Sequence, residues 1–291
     1  LHYPLRRQRQ MCIRDSLQAY QVTNELLARG VSIYRAEGGF EDKGRTFGPG
    51  TFVIPADPSL ANELANQYAL EVYALQGVPD GAVPLRHLRV AVQGDEGVRW
   101  AVRTLGFDYD ALSASDVRAG ALSGYDVYVN GSQSWNGLRA EGQTAFYDFL
   151  AAGGDYIGLR NTGINFARDA GLISADTYLA DGNAIVRLNF NQDSSIAAGY
   201  WETDFGFVFS PVWFGPLGEE VEVVASYDGG DFLVSGFWPG WDASGAGDAP
   251  AVVYTQYGSS GVTLIGTDTT FRGHPENSFR LIGNAIFDGL E

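Results

Sequence analysis

Four short polar stretches hold the residues able to do chemistry. They are Asp95 and Glu96; Asn130, Ser132 and Gln133; Arg160, Asn161 and Thr162; and Asp268, Thr269, Thr270, Arg272 and His274. Each follows an apolar run of strand type, and loops leaving the carboxyl ends of parallel strands are where α/β sheets meet their ligands. Gathered there, these groups would line a polar pocket able to hold a small molecule. The same residues also admit a purely architectural reading. In it Asp268 caps the last helix or bonds loop amides, Arg272 pairs with Asp95 or Glu96, and His274 starts a helix ahead of Pro275.

Spacing argues against two kinds of catalysis. A peptidase-type zinc site needs a histidine and a glutamate three apart plus a distant histidine, leaving one position for water. His87 is followed three residues later by Val90 and His274 by Asn277, and no HExxH spacing occurs. No metal ligand set, and no cofactor, is expected of this chain. Covalent catalysis needs an activated nucleophile at a tight strand-to-helix corner. The matching corner is Gly158-Leu159-Arg160-Asn161-Thr162-Gly163, with Arg160 or Asn161 in the nucleophile's place. Arginine stays protonated at neutral pH. Ser132 and Thr162 carry hydroxyls but have no local base, so no catalytic residue is expected.

Composition narrows the partners. Acidic residues outnumber basic ones 35 to 19 for a net charge of −16, which repels nucleic acid and anionic lipid. No apolar stretch approaches the roughly 20 residues of a membrane span. Cys12 is the single cysteine, so no disulfide can close within the chain. The first sixteen residues, LHYPLRRQRQMCIRDS, hold four arginines and one acid. Subtracting them leaves 15 basic and 34 acidic residues from Leu17 onward (19 less 4, 35 less 1). The ending MCIRDS looks like a translated sequencing adapter; a disordered basic arm is the alternative.

The elements that must position the polar stretches follow from periodicity. Residues 17–80 read as a small α/β unit. Helix Gln18–Arg29 closes at Gly30, strand Val31–Arg35 leads to a glycine-rich turn at Gly38–Gly50, and strand Thr51–Ile54, helix Pro58–Tyr68 and strand Leu70–Leu75 complete it. That order is a split βαββαβ motif lacking its first strand, as if the chain were cut inside a domain. Residues 88–291 read as a second α/β unit with a mostly parallel sheet. Its strands are Leu88–Val92, Asp108–Leu112, Tyr125–Asn130 and Asp155–Leu159, with helices Gly97–Leu105, Arg139–Ala152 and a short one to about Ala170. From about 184 to 257 the pattern changes to period two, a β-rich insertion. A final strand (Val262, Leu264, Ile265) precedes a helix with Pro275 at its first position. Trp213, Trp238 and Trp241 lie in the insertion and serve either as exposed stacking platforms or as packing onto the sheet.

The second unit resembles a class I glutamine amidotransferase-like domain of flavodoxin-like α/β architecture. More widely, NELANQYALEVYAL (Asn62–Leu75), FVFSPVWF (Phe207–Phe214) and TLIGTDTTFRGHPENSFRLIGNAIF (Thr263–Phe287) resemble the post-catalytic region of secreted bacterial zinc carboxypeptidases. The resemblance implies a parent that removes C-terminal residues from peptides, with its zinc ligands and glutamate base upstream of Leu17. None of those catalytic residues maps onto this chain. It also implies secretion and a peptidase catalytic domain as partner, with this region as a non-catalytic accessory module. The alternative is an independent module binding carbohydrate or cell-wall peptide.

Overall fold

A computed structural model describes residues 17–54, 57–68 and 70–288. The segment 1–16, with His2 and Cys12, lies outside the described residues. No helix among the described residues is long and apolar enough to cross a membrane.

The first unit begins with α1 (Leu17–Ala28), which buries Tyr20, Val22, Leu26 and Leu27. Then come β1 (Ile33–Ala36), the hairpin β2 (Phe40–Asp42) and β3 (Arg45–Phe47), β4 (Phe52–Val53), α2 (Pro58–Tyr68) and β5 (Ala82–Leu85). The expected strand Leu70–Leu75 does not form; Leu70 onward is irregular and the third strand comes later, at β5. β1 is central, antiparallel to β4 on one side and β5 on the other. This order is not a split βαββαβ motif, because β1 occupies the place between its neighbours. β5 carries Pro84 and, among the described residues, pairs only with β1, the edge position a missing N–H requires.

The second unit builds one ten-stranded sheet. Its parallel part joins β6 (Arg89–Gln93), β7 (Asp108–Ala111), β8 (Val127–Asn130), β9 (Asp155–Leu159) and β17 (Ser260–Ile265) in the order β17-β9-β8-β6-β7. Helices α3 (Glu96–Thr104), α4 (Ala114–Arg118), α5 (Arg139–Ala151) and α6 (Arg160–Asp169) connect them. The α/β class with a parallel centre is what the chain adopts. α6 is entered through Arg160, so Asn161, Thr162 and Gly163 belong to its first turn and not to a loop.

The β-rich stretch does not form a separate body. β10 (Thr177–Leu179) and β13 (Val212–Phe214) pair as a short antiparallel ribbon of their own. Beyond β17 the same sheet continues antiparallel through β16 (Pro250–Tyr257), β14 (Glu222–Tyr227), β11 (Asn183–Phe190) and β12 (Thr203–Phe209). β15 (Leu233–Phe237) shares β11's edge with β14. The last helix, α7 (Phe279–Asp288), begins four residues after Pro275, which precedes a 3₁₀ turn at Glu276–Ser278.

Alternation along the strands fills both faces. Val90, Val92, Val127, Val129, Ile157 and Ile265 pack on one side with α1, α3 and α7. Ala91, Tyr128, Tyr156, Val262 and Leu264 pack on the other with α5 and α6. The two units share the first core, and a polar junction keys them together. Asn284 is fully buried; its Oδ1 accepts from Arg35 at 2.8 Å and from the Tyr20 hydroxyl, and its Nδ2 donates to the carbonyls of Ile196 and Ala198 at 2.9 Å.

Candidate functional site

The carboxyl ends of β6, β8, β9 and β17 release the four polar stretches at one edge, as the topology requires. Hydrogen bonding begins at Asp95, which precedes α3 with extended backbone. Its Oδ1 accepts from the Val98 amide at 3.1 Å, capping the helix. Its Oδ2 accepts from Arg160 at 2.9 Å. Partial burial alone would push the Asp95 carboxyl up, but the Arg160 guanidinium and the helix amides outweigh it and hold the group below its usual range.

Arg160 sits at the strand-to-helix corner with φ +57°, a left-handed conformation that costs a residue with a Cβ about 1 kcal/mol or more. Of the two residues that could occupy this corner, it is Arg160 and not Asn161. Its guanidinium reaches across to Asp268 at 4.0 Å as well as to Asp95. Asp268 is buried with its neighbours Thr267, Thr269 and Thr270. Burial raises its carboxyl, and Arg160 and the loop amides of Thr270 and Phe271 draw it part of the way back. Thr270's amide donates to Asp268, so Asp268 bonds its own loop and does not cap α7. The result is an acid–arginine–acid clamp closing the edge.

Beneath the clamp a buried amide–phenol network fixes the loops. Asn130 Oδ1 accepts from the amides of Ser132 and Gln133, and its Nδ2 donates to the Gln133 carbonyl and the Tyr156 hydroxyl, both at 3.0 Å. Tyr156 in turn donates to the Gly163 carbonyl at 2.9 Å, and Tyr128 donates to Gln93. The sequence reading missed these tyrosines. They stand opposite one another on β8 and β9, and the signal was a phenol at the same register in two adjacent buried strands.

The other expected pocket residues do not join the clamp. Glu96 binds Arg99 and Arg103 along α3, leaving Arg272 without the partner foreseen for it. Arg272, exposed, lies 5.1 Å from the Phe271 ring centroid. Ser132 and His274 are exposed, and Asn161 accepts from Asn165 within α6. Thr162 is part-buried in the first turn of α6. His87 contacts Asp108 at the amino edge, roughly 15 Å of strand away from the edge that carries His274. No cluster of three His, Cys, Asp or Glu side chains suited to a metal occurs among the described residues.

Chemically the clamp offers one permanent cation balanced by two carboxylates. Neither a serine nor a cysteine stands at the corner that Arg160 occupies. Arg160 Nε and Thr270 Oγ1 are buried without hydrogen-bond partners among the described residues, the setting in which an ordered water or small polar group gains bonds.

A separate cleft of about 640 Å³ opens beside the β10–β13 ribbon, lined by Tyr178, Trp213, Pro216, Leu217, Asp248 and Pro250 among others. Tyr178 stacks on Trp213 with ring centroids 5.8 Å apart and presents its outer side to solvent. Trp213 and Trp238 are buried, and Trp241 packs edge-on against Phe232. Of the tryptophans' two foreseen roles, packing is the one the fold uses.

No protein-family model and no curated protein sequence matches the chain. Among solved structures it is similar to a glutamine amidotransferase from Thermotoga maritima, at 12% identity and a TM-score of 0.47, over 71% of this chain and 100% of that one. A second glutamine amidotransferase matches at 16% identity and a TM-score of 0.45, over 67% and 98%. A cytoplasmic protein of Salmonella typhimurium LT2 matches at 13% identity and a TM-score of 0.47, over 74% and 94%. Similarity this distant leaves the chemistry to the residues themselves.

Proposed function

We propose that this chain is a non-catalytic accessory module working beside a zinc carboxypeptidase domain, which removes C-terminal residues from peptides outside the cell. The observation that carries the non-catalytic part is Arg160. The corner where a strained turn would present a nucleophile holds a guanidinium instead, committed to Asp95 and Asp268. The carboxypeptidase setting is supported by the sequence resemblance of Asn62–Leu75, Phe207–Phe214 and Thr263–Phe287. The module would stabilise the peptidase or shape access to it.

A second reading, a carbohydrate- or cell-wall-peptide-binding module, is favoured by the cleft at Tyr178. An exposed ring beside a carboxylate, Asp248, suits a ligand with one flat apolar face and donor groups at its edge. One experiment separates the two. The purified chain is assayed for C-terminal residue release and glutamine hydrolysis, with and without chelator, and for binding to glycans and peptidoglycan fragments. No turnover and no binding fits the accessory role. Binding abolished by Tyr178→Ala fits the second reading, and chelator-sensitive hydrolysis overturns both.

A further inference from the structure

Outward-facing positions on β11, β12 and β15 form a regular grid. Cross-strand pairing sets Phe237, Asn183 and Phe209 in one row, Ser235, Ile185 and Phe207 in the next, then Arg187 with Phe205, and last Asn189 with Thr203. Phe271 packs beside Phe207 and Phe209, with ring centroids 5.0 and 4.9 Å away. Four of the large side chains are half exposed: Ile185 44%, Phe205 53%, Phe209 46% and Phe237 59%. In a chain of net charge −16 these positions carry no carboxylate, and Arg187 is their one charge. An apolar centre depleted of charge and rimmed by amides and hydroxyls is how interface cores are composed.

We propose that this face is a homodimer interface, occupied by the same face of a second copy. The apolar grid offers on the order of 400–500 Å². With its polar rim it approaches the ≈800 Å² that each partner gives to a standard interface. A two-fold axis lying in the interface, across the strands at the level of Ile185, makes the surface self-complementary. That operation lays β11 on β11 and exchanges the rows on either side of Ile185. Arg187 of each copy then meets Asn183 of the other, between the rings of Phe209 and Phe237, where a guanidinium gains cation–π contact and the amide oxygen as acceptor. An axis running along the strands would instead oppose the two arginines. The edge of β12 does not offer a rival mode by strand addition. Its Phe205 amide is taken by Asp204 and its Phe207 carbonyl by the Asp268 amide.

Sedimentation velocity of the full chain tests this from about 1 to about 200 μM, a range in which interfaces of this size dissociate when weak. Wild type should show a concentration-dependent dimer. Phe237→Asp should raise its Kd more than tenfold with an unchanged circular dichroism spectrum. Asn183→Glu should lower the Kd about tenfold by giving each Arg187 a carboxylate across the axis, and Asn183→Arg should raise it. A wild type that stays monomeric throughout, or a dimer indifferent to both the Phe237 and Asn183 changes, overturns the proposal.

Discussion

Arg160 combines a strained backbone with a committed side chain, and the two contributions can be separated. Arg160→Ala and Arg160→Gly both strip Asp268 of its guanidinium and leave a buried carboxylate with only its loop amides. Glycine, however, relieves φ +57°. Arg160→Ala should lose about 2 kcal/mol of stability and Arg160→Gly about 1 kcal/mol less than that. Urea unfolding of the two side by side checks this; equal losses would mean the corner is not strained. The sequence showed that this corner holds no nucleophile. It did not show which residue takes the left-handed position, since asparagine adopts it more readily than arginine and the choice depends on ion pairs to residues 65 and 108 positions away.

Among the elements, α6 is seated on β9 by two glycines. A Cβ on Gly163 would stand 2.8 Å from the Gly158 carbonyl carbon and closer still to the Asn130 carbonyl oxygen. Gly163→Ala should therefore cost about 1–3 kcal/mol through displacement of the helix, read as a lowered thermal midpoint with an altered near-ultraviolet signal from Tyr156. Elements bounded by plain stop signals, such as α5 and β9 on either side of Gly153-Gly154 and α2 opening on Pro58, were legible to within a residue. β12 was not, because Phe205, Phe207 and Phe209 place apolar side chains on its outer face and erase the alternation that marks a half-buried strand. Leu70–Leu75 misled in the opposite way, with a strand-like pattern that found no neighbour to pair with. α4 is too short for periodicity and went unread, although its capping box of Ser113 with Asp116 is a local signal.

For the molecule as a whole, the parallel and antiparallel parts of the sheet meet at β17, and Asp155 on β9 accepts from the Gly261 amide of β17 at 2.6 Å. Burial pushes the Asp155 carboxyl up to about 7. The folded protein then holds this proton more tightly than the unfolded chain, whose aspartate titrates near 4. The contribution to stability is accordingly full below about pH 4 and lost as pH rises through 7. Burial shifts Asp268 and Asp288 in the same direction. Asp155→Asn, which keeps an acceptor for Gly261, should leave stability near pH 4.5 little changed and raise it at pH 8. Denaturant titrations across that range would show a flatter profile than wild type, and parallel profiles would refute the assignment. The parallel centre was readable because βα alternation dictates it. The fusion of the β-rich stretch into the same sheet was not, since antiparallel strands read alike whether they stand apart or extend a neighbour.

The bonds of Asn284 to Arg35, to Tyr20 and to the carbonyls of Ile196 and Ala198 draw three distant parts of the chain onto one amide. Residues 17–85 and the large sheet therefore depend on one another for burial of their polar groups. Recombination in the connecting residues 86–88 would give neither part a finished surface, and a transplanted sheet would need its helical companion carried along with it.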